Sequence, residues 1–257
     1  MAESMIHGWI NKRILSPRNI SVMNKSDIER LEFLQDEYGV NIVQKEKIEL
    51  ENADFILLAM KPKDVKAALS GIQDSLSPDT VILSVVAGVS IRTIQKLVGD
   101  LPIARAMPNT SAKIAKSATG VAWSKQVTLN QQHELRDLLS SIGSVTVVEE
   151  SQLDAVTAVA GSGPAFIYYF AEAMTEAGVN SGLSLEDATK LVRHTFSGAA
   201  DMLQHADFGE LRKKVTSPNG TTAAGLASLE KNEFKQIIAQ CIQEAANRSQ
   251  ALGREFE

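Results

Sequence analysis

Two spacings of apolar residues divide this 257-residue chain. Up to about residue 150, compact apolar runs alternate with amphipathic stretches, and beyond about Ser151 apolar positions recur at helical intervals to the C-terminus. The compact runs at 20–23, 54–59, 81–86 and 102–107 are predicted strands. Phe55-Ile56-Leu57-Leu58-Ala59 is apolar without interruption, which predicts an interior parallel strand buried on both faces. Between the first two runs, Ser26-Asp27-Ile28-Glu29 resembles a capping box, and Leu31, Leu34 and Tyr38 follow at helical spacing before Gly39. Strand, helix and strand in that order predict a βαβ unit.

In the second part, Gly163-Pro164 opens a predicted helix with Phe166, Ile167, Phe170, Ala173, Met174 and Ala177 on its apolar face and Gly178 at its end. Ser184 with Asp187 opens the next, carrying Ala188, Leu191, Val192, Phe196, Ala199 and Leu203. The last helix has a stripe of Phe234, Ile237, Ile238, Cys241, Ile242, Ala245 and Ala246. The pattern predicts an α/β protein: a Rossmann-like doubly wound parallel sheet over residues 1–149, followed by an all-α domain over 150–257. Helices this apolar in so short a domain predict burial against a second copy, hence a homodimer or higher homo-oligomer.

Composition changes this picture little. Hydrophobic residues make up 44% of the chain, enough for a core without metals or disulfides. The four histidines, His7, His133, His194 and His205, have no ligand spacing, so no metal site is expected. The one cysteine, Cys241, lies on an apolar helix stripe and reads as a small hydrophobe, in keeping with a reducing cytoplasm. A net charge of −5 with acidic and basic residues interspersed offers no face to nucleic acid. No apolar run approaches membrane-spanning length, so neither nucleic acid nor membrane is an expected partner.

The segment with most chemical content is Ser217-Pro218-Asn219-Gly220-Thr221-Thr222. Pro218 fixes φ, Asn219-Gly220 tolerates φ > 0, and a helix with small and apolar spacing follows. The free amides and dipole of that helix start would favour a carboxylate, with Thr222 presenting a hydroxyl to whatever carries it. The same segment also fits an ordinary capped helix after a turn.

Three further segments keep it company: Ala59-Met60-Lys61-Pro62, Arg105-Ala106-Met107-Pro108-Asn109-Thr110 and Ala160-Gly161-Ser162-Gly163-Pro164-Ala165. In their order and spacing the four resemble pyrroline-5-carboxylate reductases, over the length of the chain from Met1 to the last helix. The resemblance implies reduction of 1-pyrroline-5-carboxylate to L-proline, the last step of proline biosynthesis, by hydride transfer from a nicotinamide cofactor. In a doubly wound fold the cofactor lies beyond the carboxyl ends of the strands. Asn24, Lys25 and Ser26 follow the first predicted strand, and a short polar and basic group there suits a 2′-phosphate, so NADPH is expected, with NADH as the alternative that nearby Asp27 supports.

By resemblance Ala59, Met60, Lys61 and Pro62, then Val85, Val86 and Ala87, line the cofactor, Asn109 sits near the nicotinamide end, and Lys214 lies near the cofactor. Ser111 stands where the family often has proline. Glu150, Ser217, Gly220, Thr221 and Thr222 are implied in substrate binding, with Thr222 the catalytic group that orients the proton going to the ring nitrogen. Gly161-Ser162-Gly163-Pro164 reads as a turn that brings a helix close to the site.

One departure is large. The family opens with an apolar strand and a Gly-x-Gly-x-x turn ahead of the helix at which this chain begins, Met1-Ala2-Glu3-Ser4-Met5. Without that strand the sheet would leave backbone groups unpaired at its centre, and the pyrophosphate cradle would be lacking. The expectation is either a translation start upstream of Met1, which is favoured, or a truncated and inactive subunit. A related dehydrogenase for a hydroxy acid or another imine is the remaining alternative, and the turn at Ser217 speaks against it.

Overall fold

The computed structural model describes residues 1–43, 50–70, 72 and 75–254. The chain divides into two compact units, Met1–Ser162 with Ala245–Glu257, and Gly163–Glu244.

The first unit opens with α1 (Ala2–Asn11), which buries Met5, Ile6, Gly8 and Trp9 at helical spacing. The Trp9 indole donates to Leu138 O at 2.9 Å, and Gly8 lies so close to Ser141 that a Cβ there would fall 2.8 Å from Ser141 Oγ. Strand β1 (Ser21–Val22) pairs in parallel with β2 (Asn41–Ile42), on either side of α2 (Ile28–Tyr38), giving a βαβ unit whose second strand is 41–42 and not the expected run at 54–59, which lies in another sheet. The cap of α2 is Asp27, whose carboxylate accepts from Arg30 N, and not Ser26 as the box pattern implied. Gly39, at φ 68°, closes the helix as predicted.

A five-stranded sheet follows in the order β3 (Phe55–Leu58), β4 (Val81–Ser84), β5 (Ile103–Met107), β6 (Ser117–Trp123), β7 (Gly143–Val147). Neighbours pair in parallel except β5 with β6. Helices α3 (Pro62–Leu69), α4 (Ile91–Val98) and α5 (Leu129–Ser140) connect them. All four residues of β4 are buried, and the pleat sends them to two faces. Val81 and Leu83 join Met5, Ile6, Leu135 and Leu139, while Ile82 joins Val65, Leu69 and Ile94. Strands β2, β6 and β7 carry too few consecutive apolar residues to stand out in sequence.

The strand expected to be interior is different. Of β3 only Leu58 is buried, because β3 is an edge of the five-stranded sheet. Strands β1 and β2 form a separate two-stranded sheet, so among the described residues one edge of β1 and one of β3 carry no strand partner. Both sheets feed one apolar cluster, with Ile20, Val22 and Val40 beside Phe55 and Leu57.

After β7 a short 3-10 turn (Glu150–Gln152) and α6 (Leu153–Val156) run into a π-helical turn, Thr157–Gly161. The second unit holds α7 (Gly163–Asn180), α8 (Leu185–Met202), α9 (Phe208–Lys214), α10 (Thr221–Lys231) and the first half of α11 (Phe234–Arg254). Ser184 caps α8 through Asp187 N at 3.1 Å, as predicted. Gly178 does not end α7, which runs on to Asn180; a Cβ there would come 3.3 Å from that of Ala188, so this glycine lets α7 and α8 meet closely. Phe170 packs against Phe196 and Phe234 at centroid distances of 6.0 and 6.2 Å.

In this unit only Ala188 and Val192 are buried apolar residues. Tyr168, Tyr169, Leu185, Leu191, Phe208, Ile237 and Ile238 are exposed. A helical unit with so little core of its own leaves most of its apolar surface open to a partner.

Candidate active site

The carboxyl ends of β3 and β4 lie side by side, since Leu58 pairs with Ser84, and β5, whose Arg105 pairs with Ser84, runs two residues further to Met107. Ala59-Met60-Lys61-Pro62 and Val85-Val86-Ala87 continue from the first two strands and Asn109 from the third, so the structure brings these residues to one sheet edge. Ala59, Lys61 and Ala87 are exposed there, while Leu58 and Val86 are buried. Pro62 opens α3 behind Lys61, and no side chain caps that helix.

Asn24-Lys25-Ser26 follows β1. Asn24 Oδ1 accepts from the amides of Ser26 and Asp27, both at 3.2 Å, folding the segment into a turn that leaves Asn24 Nδ2 and Ser26 Oγ as donors. Lys25 Nζ reaches Asp64 on α3 at 3.2 Å, linking this turn to the start of the β3–α3 segment.

Asn109 is turned inward and only 8% exposed. Its Nδ2 donates to Ala160 O at 3.0 Å and its Oδ1 accepts from Ser111 N at 3.0 Å, so both ends of the amide are engaged. The bond from Ser111 N exists because that residue is not proline. Asn109 thereby ties the end of β5 to the π-helical turn. Glu150 is likewise engaged: Oε1 accepts from Ile91 N at 2.7 Å, at the start of α4, and from Arg105 Nη1 at 2.7 Å.

In the second unit, Gly220 N donates to Ser217 O at 3.1 Å and closes the turn before α10. Asn219 takes the left-handed conformation, φ 60°, and Gly220 does not. A Cβ at Gly220 would lie 2.4 Å from Ser217 Oγ, so the serine hydroxyl folds over the glycine and would have to turn aside for a larger residue. The first helical bond is Ala224 N to Gly220 O at 3.1 Å, and no side chain caps the helix. Three amides, those of Thr221, Thr222 and Ala223, precede that bond, and Thr221 and Thr222 are exposed. The turn therefore ends in an open group of donors at the positive end of a helix, suited to a small carboxylate. Lys214 ends α9 with Arg212 and Lys213 in the same last turn, where cations also favour the helix dipole.

A Cβ at Gly163 would meet nothing within 4 Å, and one at Gly161 would make an ordinary 3.6 Å contact with Thr157. Sequence reasoning missed the π-helical turn and the inward seat of Asn109; nothing in the local sequence marks either.

Residues 150–252 match the family model described as pyrroline-5-carboxylate reductase dimerisation, and residues 1–88 match that described as NADP oxidoreductase, coenzyme F420-dependent. Pyrroline-5-carboxylate reductase 2 of Bacillus subtilis (strain 168) is 42% identical over 259 residues, covering 100% of this chain and 93% of that protein. The solved structure of a pyrroline-5-carboxylate reductase from Coxiella burnetii superposes with a TM-score of 0.92 at 32% identity, over 98% of this chain and 94% of that one. The Plasmodium falciparum pyrroline carboxylate reductase with NADP bound gives a TM-score of 0.82 at 29% identity, over 97% and 93% of the two chains.

Proposed function

The chain belongs to the pyrroline-5-carboxylate reductase family, and on that premise we propose that it reduces 1-pyrroline-5-carboxylate to L-proline with NADPH, NADH being the weaker donor. The observation that carries this reading is similarity at 42% identity running through the whole chain. The residues fit a dinucleotide. Exposed Ala59 and Ala87 allow backbone approach to the ribose and nicotinamide, and Asn24 Nδ2, Lys25 Nζ and Ser26 Oγ are donors for a 2′-phosphate.

Bound there, the nicotinamide supplies a hydride to the C=N carbon of the imine. The protein's own share is positioning and charge stabilisation. The amides of Thr221, Thr222 and Ala223, with the Ser217 hydroxyl, hold the substrate carboxylate. The Thr222 hydroxyl hydrogen-bonds the ring nitrogen and orients the incoming proton, since a threonine is too weak an acid to drive protonation. Asn109 and Glu150, whose side chains are spoken for inside the first unit, shape the site by holding the segments around it. Lys214 adds positive charge for the anionic ligands. The helical unit mediates self-association, as a homodimer or a higher homo-oligomer, and the enzyme works in the cytoplasm.

The test is NADPH oxidation in the presence of pyrroline-5-carboxylate with proline as the product; turnover that requires a different imine or a hydroxy acid rejects the substrate. The divided sheet favours a second reading, a subunit of the same fold that does not turn over on its own. Proline formation by the 257-residue chain alone would dismiss it.

A further inference from the structure

The turn between β4 and α4, which carries Val85, Val86 and Ala87, is held at both ends by side chains. Ser84 Oγ accepts from Val86 N at 3.3 Å, and Glu150 accepts from Ile91 N at 2.7 Å. Its middle is held by backbone. Gly88 has φ 75°, a conformation that disfavours a side chain, and a Cβ there would lie 3.2 Å from Gly253 Cα and 3.3 Å from Gly253 N. Conversely, a Cβ at Gly253 would sit 3.4 Å from Gly88 O. Gly253 is in the last turn of α11, and the end of that helix belongs to the same compact unit as the turn. One turn earlier, Ser249, 9% exposed, donates to Asp154 Oδ1 on α6 at 2.6 Å. Two independent contacts thus dock the end of the chain, and one of them is against the residue following Ala87.

We propose that the end of α11, with Gly253 seated on Gly88 and Ser249 fastened to Asp154, sets the conformation of the β4–α4 turn and so the affinity for the nicotinamide half of the cofactor. Gly253 and Ser249 are positioning residues: they touch no reactant and act through Gly88 and Ala87. The inference rests on the reading that Val85 to Ala87 line the cofactor. Displacement of Gly253 moves Gly88, and Ala87 is one peptide away, so a shift of less than an ångström reaches the surface on which the nicotinamide lies.

The experiment uses the full chain in a graded series. Gly253→Ala adds a methyl group at the edge of contact and keeps near-parental behaviour, whereas Gly253→Val drives branches into Gly88 O. The Val variant, and Ser249→Ala, raise both the NADPH dissociation constant and the KM for NADPH about tenfold while leaving the KM for the imine unchanged. Ser249→Thr, which retains the hydroxyl, restores the parental values. Gly198→Val, on α8 where a Cβ meets nothing within 4 Å, leaves NADPH affinity unchanged.

Without nucleotide, Gly253→Val and Ser249→Ala speed amide hydrogen exchange at residues 86–91. A purely structural helix would instead lower yield or melting temperature with NADPH affinity and exchange at 86–91 as in the parent, and that result overturns the proposal. Ala87→Trp separates the two layers. NADPH binding undisturbed by Ala87→Trp rejects the cofactor seat and this inference together; binding lost in Ala87→Trp but parental in Gly253→Val rejects this inference alone.

Discussion

Thr222 is the residue on which the chemical reading turns. It is exposed at the uncapped start of α10 and has no packing role that its methyl group must fill. Thr222→Ala should therefore lower turnover about tenfold to a hundredfold while changing unfolding free energy by no more than about 0.5 kcal/mol. Equal turnover in parent and variant would remove the hydroxyl from the mechanism. Tyr38 offers a test of a different kind. Its phenol is held above the ordinary value of 10.0, first by burial and then by the charge and hydrogen bond of Glu3, which also pairs with Arg30. A folded-state value above the unfolded one means the native protein keeps this proton longer. The stabilisation is whole below a pH of about 10 and is lost as pH rises through the folded value. Denaturant melts between about pH 8 and 11 should lose stability more steeply in the parent than in Tyr38→Phe. Parallel curves would show that Tyr38 does not carry the alkaline limb. At this scale the sequence was legible where a residue's job is done by its neighbours in the chain, as in the turn from Ser217 to Gly220. It was not legible for Asn109 and Glu150, whose partners Ala160, Ile91 and Arg105 are 45 or more residues away.

Among elements, the helix starts divide into those readable locally and one that was misassigned. Ser184 caps α8 as its spacing implies, because cap and first turn are contiguous. At α2 two candidate caps stand side by side, and Asp27 takes the role, its carboxylate accepting from Arg30 N at 3.0 Å. Asp27→Ala should cost about 1 kcal/mol in unfolding free energy, and Ser26→Ala much less. Urea titrations that reverse this order would return the cap to Ser26. The four predicted strands all exist, within a residue or two of their expected limits. The level of burial in β3 could not be read from its apolar run, since an unbroken run records a capacity for two covered faces and not whether a neighbouring strand is present. Strands β2, β6 and β7 escaped notice for the complementary reason: exposed or small residues interrupt them, and pairing, not composition, makes them strands.

At the scale of the molecule two open surfaces call for partners. One is the apolar surface of the helical unit, where Ile237 and Ile238 are 58% and 43% exposed on α11. Replacing both with glutamate should shift the sedimentation profile from an oligomer to a smaller species; an unchanged mass would move the interface elsewhere. The other, among the described residues, is the pair of strand edges on β1 and β3, each with one side that carries no strand partner. By itself the sequence determined the alternation of strands and helices, the change to an all-helical second part, the turn at Ser217 and the family resemblance, because these depend on residue types at fixed short spacings. Only the tertiary structure decided which strand is an edge, that Asn109 reaches Ala160 and Glu150 reaches Ile91 and Arg105, and that Gly253 meets Gly88. Those facts join residues far apart in the chain, and the free energy that selects them comes from packing and pairing, which short spacings do not encode.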